Sequence, residues 1–352
     1  MSAQRRLILG IETSCDETAC SIVDDEGNVL SNVVYTQIEM HKKYGGIVPE
    51  LASRDHALKI EPVVVEAISN AGLKASDITH LGVSCGPGLL GCLLVGISFS
   101  KAFCMANNIP LIGVDHIKAH VMSVFIKSNR DDNKKPSFPF LGLVVSGGHT
   151  TIYLVNSHEE IIPVSSTVDD AAGEVFDKVA RYLGLGYPGG KVLSDIAKTG
   201  DALKVKFPKP VVKDREDDFS FSGLKTAAIN YFRPLSSLDG KFNLSKKEIV
   251  DGMAGVQEAI CSTIVDKLIK VAKQHPIKDI VIGGGVAANY RLRELLKVEA
   301  EKNGFTSWAV PVTYCTDNGT MIANMARLTA SKYPNKFTND MAALAAYSTT
   351  RK

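Results

Sequence analysis

Short apolar runs punctuate the chain at Leu7–Ile11, Leu81–Ser84, Pro110–Val114, Phe140–Val145, Ile152–Val155 and Ile280–Ile282, each of strand length and bounded by polar or glycine-containing turns. Between them, apolar positions recur at helical spacing over His56–Asn70, Glu174–Leu183, Lys247–Gln274 and Asn289–Lys302. Strands interleaved with helices predict an α/β architecture. Two polar, proline-spaced segments stand out. Lys127–Pro139 reads as a connection between halves and Lys204–Asp218 as a surface excursion. Leu81–Ser100 contains no charged residue and approaches the length of a membrane span, but Gly86-Pro87-Gly88 interrupts it. The run Leu89–Phe99 that remains is too short to cross a bilayer, so a strand, a turn and a buried helix are expected there.

The pattern also repeats. Leu9–Leu30 overlies Leu141–Ile162 without a gap at an offset of 132 residues, with Gly10/Gly142, Ser14/Ser146, Thr18/Thr150 and Val23/Val155 coinciding. Both copies read as strand, polar turn, strand, and both open a half of the chain. A duplicated domain is expected, each half offering one hairpin turn to a shared cleft. The turns are Glu12-Thr13-Ser14-Cys15-Asp16-Glu17-Thr18 and Ser146-Gly147-Gly148-His149-Thr150. Backbone N–H groups and hydroxyls in such turns form concave nests for phosphate oxygens, and glycine permits close approach. Asp16 and Glu17 beside the first nest are placed to hold a cation or to act as a base.

Composition narrows the picture. Lys and Arg number 40 against 38 Asp and Glu, a formal charge of +2, so contact with a polyanion rests on a local patch. The seven cysteines are scattered and include no C-x-x-C pair, which argues against a disulfide framework or a thiolate zinc site and fits a reducing compartment. The first residues carry neither a secretory nor an organellar import pattern, and cytoplasmic residence is expected.

Three further features carry candidate chemistry. His116-Ile117-Lys118-Ala119-His120 stacks two imidazoles on one helical face, where they can ligate one divalent metal; Ile117 stands where a zinc protease of the H-E-x-x-H type needs glutamate. Asp317, in Tyr314-Cys315-Thr316-Asp317-Asn318-Gly319, is a distant carboxylate that would complete a two-histidine, one-carboxylate set on iron or zinc. Gly283-Gly284-Gly285, ahead of a helix bearing Arg291 and Arg293, is arranged for a nucleotide or phosphate, or simply as a tight strand-to-helix turn. It lacks both the G-x-G-x-x-G and the P-loop spacing. Asp169–Asp177 reads as an acidic, capped helix start.

Taken in order, Gly10–Thr18, Tyr44–Arg54, the His116/His120 pair, Val145–Thr150, Tyr187-Pro188-Gly189-Gly190, Phe219–Thr226 and Cys315–Gly319 closely resemble the tRNA threonylcarbamoyladenosine transferase family, once labelled O-sialoglycoprotein endopeptidases. The likeness runs from about Leu9 to the last helix. It implies the actin/Hsp70/sugar-kinase fold, with two duplicated RNase H-like domains around a nucleotide cleft. The expected division is 1–115 plus 318–352 for the first domain and 116–317 for the second, with the metal at the domain interface. The implied reaction passes the threonylcarbamoyl group of threonylcarbamoyl-AMP to the exocyclic amine of the adenosine beside the anticodon, in tRNAs reading codons that begin with adenine.

By the same resemblance His116, His120 and Asp317 match the metal ligands, for Fe2+ ahead of Zn2+. Val144, Val145, Ser146, Gly147 and Gly148 match a substrate-binding turn; Asp177, Gly190 and Asn289 match contacts to the adenylate. Asp16 and Glu17 match the acidic pair of the first turn, and either is a candidate to take the amine proton. Lys191 stands where proline is expected after Gly190. The implied partners are tRNA, a catalytically silent paralogue and a small P-loop ATPase, or a second copy of the chain if the protein is of the organellar type; no membrane is implied. Lys42, Lys43, Lys204, Lys206, Lys209 and Lys213 are the basic candidates for tRNA phosphates. The rival functions are an ATP-dependent small-molecule kinase on the same fold, which has no evident use for the histidine pair, and a noncatalytic scaffold, which has no need of three ligands.

Overall fold

The computed structural model describes residues 5–127, 134–210, 212–332, 334–338 and 344–348. The chain divides into two compact units, Met1–Lys135 with Thr313–Lys352, and Pro136–Val312. In the first unit β1 (Leu7–Glu12), β2 (Glu17–Asp24) and β3 (Val29–Thr36) are followed by α1 (Ile38–Lys42) and α2 (Pro49–Asn70), then β4 (His80–Gly86), α3 (Leu90–Asn107), β5 (Leu111–Asp115) and α4 (His116–Met122). The second unit holds β6 (Phe140–Val145), β7 (Thr150–Val155), β8 (Ile161–Ser166), α5 (Ala172–Tyr182), α6 (Gly190–Ala197), α7 (Ser222–Phe232), α8 (Lys247–Ala272), β9 (Asp279–Gly283), α9 (Tyr290–Lys302) and β10 (Thr306–Ala309). The chain then returns to the first unit as α10 (Gly319–Lys332).

Among the described residues each unit carries one five-stranded sheet, ordered β3-β2-β1-β4-β5 and β8-β7-β6-β9-β10. These are the same topology. In each, two antiparallel pairings join the first three strands and two parallel pairings add the last two. The hairpin registers also agree at the offset seen in the sequence: Ile8 faces Val23 and Glu12 faces Ala19, while Phe140 faces Val155 and Val144 faces Thr151. The central strands β1 and β6 are buried along their whole length, as expected of strands covered on both faces.

Several boundaries differ from the sequence expectation. Helix α2 begins at Pro49, not His56, because proline at the first helical position is already held at a helical φ and lacks the N–H that would go unpaired there. Helix α3 extends from Leu90 to Asn107, past the apolar run, and is by length and composition alone apolar enough to cross a membrane. Its inner positions, among them Cys92, Leu93, Ile97 and Cys104, are buried in the first unit. The connection between halves falls at Lys135/Pro136, within the polar segment Lys127–Pro139; residues 128–133 of that segment lie outside the described residues. The units therefore part at 135/136 and 312/313, not at 115/116 and 317/318. Helix α4 and Asp317 belong to the first unit because α4 packs on α10, where Asn324 Nδ2 donates to Met122 O at 3.0 Å.

Helix α10 lies on β1, β2 and β4 with backbone nearly touching backbone. A Cβ built on Gly10 would sit 2.3 Å from Ala323 N and 2.5 Å from Gly319 O, and one on Gly319 would sit 2.5 Å from Ser21 N. At Gly82 it would meet the Ala326 methyl at 2.7 Å. The edge strand β5 is covered by a bridge from Leu111 to Thr338. Farther along, Tyr347 N donates to Cys85 O at 2.9 Å and Tyr347 Oη to Asp115 Oδ2 at 2.7 Å. Replacing Gly10 by alanine is expected to destabilise the protein by about 1–3 kcal/mol, the usual cost of forcing a methyl into a filled core, read as a lower guanidinium midpoint with an unchanged slope.

Candidate metal centre and substrate turns

The first site is built at the carboxyl ends of β1, β4 and β5, where parallel strands leave a crevice for side chains. Strand β5 ends at Asp115, whose Oδ1 accepts from Lys118 N at 2.9 Å and so caps α4. The cap starts the helix at His116 and puts His120 one turn on, with ring centroids 4.8 Å apart and planes at 88°. From the other end of the chain, Asn318 caps α10 through Oδ1 to Met321 N at 2.9 Å and ties down the preceding loop by donating to Thr316 O at 2.7 Å. Asp317 is thereby held with Oδ1 3.0 Å from His120 Nε2 and 3.6 Å from His116 Nε2. One ligand atom from each of the three lies within 4.8 Å of the others. Sequence spacing identified the histidine pair; the return of α10 brings the carboxylate.

The group fits a cation. Two buried imidazoles and a partly buried carboxylate are a nitrogen–oxygen donor set with open positions. His120 Nδ1 is buried with no hydrogen-bond partner among the described residues. Burial alone would depress the His116 imidazole, but Asp317 and Glu12 raise it to about 9, so the surroundings favour one positive charge at this point. Burial also pushes the Glu17 carboxyl well above its ordinary range, reinforced by Asp317 and then Asp16. Asp16 and Glu17 thus stand with Asp317 in one acidic group, at the start of β2. Burial and then Asp16 raise the Cys15 thiol far above its usual value. Buried His56 holds the turn: its Nδ1 lies 2.7 Å from Thr18 Oγ1 and its Nε2 3.0 Å from Cys15 O.

Sequence reasoning passed over Glu12. Its side chain is fully buried at the last position of β1, with Oε2 3.0 Å from His116 Nδ1, while Ser14 Oγ lies 3.1 Å from the same nitrogen. The available signal was topological: the ends of β1 and β5 converge on one edge of the sheet.

In the second unit, Val144 and Val145 end β6, and Ser146–His149 close the hairpin with Ser146 N donating to His149 O at 2.8 Å. Gly147 and Gly148 are exposed, and among the described residues a Cβ on either meets nothing within 4 Å and neither N–H is engaged in a hydrogen bond. Gly284, at φ +90°, packs under this turn, where a Cβ would sit 2.6 Å from Val145 O. Asp177 Oδ1 accepts from Gly189 N at 2.9 Å and Gly190 N at 2.8 Å, which shapes the start of α6; burial raises this carboxyl, and the two N–H bonds oppose the rise. Asn289 is committed within the protein: Oδ1 caps α9 through Arg291 N and Leu292 N, and Nδ2 donates to Gln257 Oε1 and Ser194 Oγ. Arg291 pairs with Glu258 and Glu294, and Arg293 donates to Ala287 O and Val310 O, so both arginines brace the turn.

Solved structures similar to this chain include T. kodakarensis HypF, at 14% identity and a TM-score of 0.60 over 97% of this chain and 49% of that one. The Acidaminococcus fermentans (R)-2-hydroxyglutaryl-CoA dehydratase component A is similar at 14% identity and a TM-score of 0.53, covering 94% and 100%. These likenesses concern the fold, which is of the actin/Hsp70/sugar-kinase type. The family profile described as tRNA N6-adenosine threonylcarbamoyltransferase matches residues 28–324. Curated proteins of that name are similar at 44% identity in Anaeromyxobacter dehalogenans, over 90% of this chain and 92% of the relative, and at 45% in Caldicellulosiruptor saccharolyticus, over 90% and 91%. A fold, a duplicated pair of turns and a sequence match spanning most of the chain agree: it belongs to the tRNA N6-adenosine threonylcarbamoyltransferase family and is a tRNA-modifying transferase.

Proposed function

We propose that the chain takes its threonylcarbamoyl group from threonylcarbamoyl-AMP and delivers it to the exocyclic amine of the adenosine beside the anticodon, in tRNAs reading codons that begin with adenine. The observation that carries this reading is the meeting of His116, His120 and Asp317, the last two 197 residues apart in sequence. These three are assigned one divalent metal, Fe2+ ahead of Zn2+. When bound, such a cation supplies positive charge that polarises a substrate oxygen and offsets charge on a phosphate.

The remaining roles fall to the protein's own groups. Val144, Val145, Ser146, Gly147 and Gly148 are assigned to the adenylate, with the uncommitted Gly147 and Gly148 N–H groups as donors to anionic oxygen. The glycines answer no steric demand of the fold, so the space above them is kept for a ligand. Asp177 presents Oδ2 to a ribose hydroxyl while Oδ1 fixes the loop at Gly190. Asn289 serves the same ligand by anchoring the 283–289 turn. The acceptor amine is a weak nucleophile, and Asp16 or Glu17 is assigned to take its proton.

A partner subunit is assigned to the outer face of α3. On α3 the outward positions Leu90, Leu94, Ser98, Ala102 and Met105 carry no charge, and adjoining α2 exposes Leu58 and Val65. An uncharged face of this kind fits a permanent subunit contact, assigned here to the catalytically silent paralogue; a second copy of the chain is the alternative occupant. A small P-loop ATPase completes the proposed assembly, and the cytoplasm is its proposed location. For tRNA, Lys204, Lys206 and Lys213 are exposed, whereas Lys209 is paired with Asp266 at 2.6 Å.

Four outcomes test these assignments. With threonylcarbamoyl-AMP and both partner proteins supplied, labelled threonine should enter unmodified tRNA only when this protein is present. His116→Ala should lose bound metal and at least about a hundredfold in rate together, since Lewis-acid stabilisation is worth several kcal/mol; retained metal with full activity would remove the histidine from the site. Gly147→Ala should raise the KM for the adenylate while moving stability by less than about 0.5 kcal/mol, because the methyl meets only open space. Leu94→Glu should abolish co-elution with the silent paralogue on size exclusion while leaving metal content unchanged. Intact co-elution would place that contact elsewhere.

A further inference from the structure

We infer that Glu12 is a positioning residue for the metal centre: it fixes the proton of His116 on Nδ1 and so keeps Nε2 available as a ligand. The inference rests on the assignment of His116, His120 and Asp317 to a metal. Glu12 is fully buried, and no Lys or Arg is among its hydrogen-bond or ion-pair partners in the described residues. Its Oε1 accepts from Ser14 N at 2.5 Å and from Ser84 Oγ at 3.3 Å. Its Oε2 faces His116 Nδ1 at 3.0 Å. With two donors already on Oε1, Oε2 is the acceptor turned toward the ring, and the nitrogen facing it carries the hydrogen. The lone pair then belongs to Nε2, the atom 3.6 Å from Asp317 Oδ1.

The other neighbour of Nδ1 cannot make this choice. Ser14 Oγ, 3.1 Å away, donates or accepts equally well and adapts to either tautomer. Nor does closing the 12–14 turn explain the whole residue, since Oε1 alone holds Ser14 N. The second oxygen is directed across 104 residues of sequence at the one ring whose opposite edge enters the candidate centre. A carboxylate behind a ligating histidine fixes the ring, strengthens it as a donor and adds negative charge next to the cation.

Glu12→Gln separates this role from a structural one. The amide oxygen replaces Oε1 toward Ser14 N and Ser84, so the turn stays closed, and the amide NH2 then faces His116 Nδ1. Two donors cannot face each other, so the imidazole hydrogen is driven to Nε2 and the ligand position is blocked. The experiment uses the full chain and Zn2+ alone as probe, with affinity read by competition against a chelator and the His116 ring followed by 15N and 1H NMR of the zinc-loaded protein.

The expected result is a zinc affinity lower by about 10- to 100-fold in Glu12→Gln, the usual effect of removing an outer partner of a metal-bound histidine. The unmodified protein should show a downfield Nδ1–H resonance, and Glu12→Gln should lose it. Ser14→Ala, which leaves the carboxylate in place, should keep both. Unchanged affinity together with an unchanged Nδ1–H signal in Glu12→Gln would overturn the inference while leaving the metal site standing. Zinc binding indifferent to His116→Ala would instead overturn the metal assignment, and this inference with it.

Discussion

The candidate metal centre depends on how closely α10 lies against the first sheet. Asp317 is fixed only because the helix that follows it enters at one height over β1 and β2, and that height is set by two glycines. With side chains at Gly10 or Gly319 the backbones could not approach to the observed distance. Thr320 Oγ1 donates to Ser21 Oγ at 2.9 Å within the same contact, and Asn324 ties α10 to the end of α4. One packing plane therefore sets both the carboxylate and the histidine helix. A shift of an ångström there would break the donor set without touching a ligand, since functional geometry tolerates errors of only about half an ångström.

Charge is the second organising quantity. Glu12, Asp16, Glu17 and Asp317 gather at one edge of the sheet, and His116 and His120 are the basic groups recorded among them. Carboxylates gathered at partial or full burial are costly, and such a cluster relieves that cost by taking up protons or by holding a cation. Both responses are visible in the protein's own groups: Glu17 is pushed toward its protonated form and His116 toward its charged one. A divalent ion would serve all of these groups at once. The cluster is thus poorly suited to stability alone and well suited to a ligand that adds positive charge.

Much of this was legible in the chain. The 132-residue offset anticipated two sheets whose hairpins agree residue for residue in register, and four-residue spacing placed both histidines on one helical face. What local pattern could not show were relations set by parallel strand neighbours. Glu12 reads as the first polar residue of a turn, yet β4 and β5 on its flank bury it against a residue 104 positions away. Arg291 and Arg293 read as phosphate donors after a glycine turn, but facing helices and loops supply their partners. The unit boundary was misplaced for a similar reason, because the packing of α4 on α10 joins segments far apart in sequence.

Comparison of the two turns shows one frame carrying two different charge patterns. At the common offset Glu12 corresponds to Val144, Asp16 to Gly148 and Glu17 to His149, while Ser14 and Thr18 match Ser146 and Thr150. The shared residues maintain the fold: Thr18 holds His56, and Thr150 Oγ1 accepts from Ala172 N at 3.0 Å. The residues that differ set the sign of the local field. Three carboxylates make the first turn a place for a cation, whereas the second turn carries none and exposes two uncommitted N–H groups, a place for an anion. The two turns thus share one frame and differ in charge at Glu12, Asp16 and Glu17 against Val144, Gly148 and His149. The proposed metal and the proposed phosphate-bearing substrate each find a turn of matching charge within a single unit.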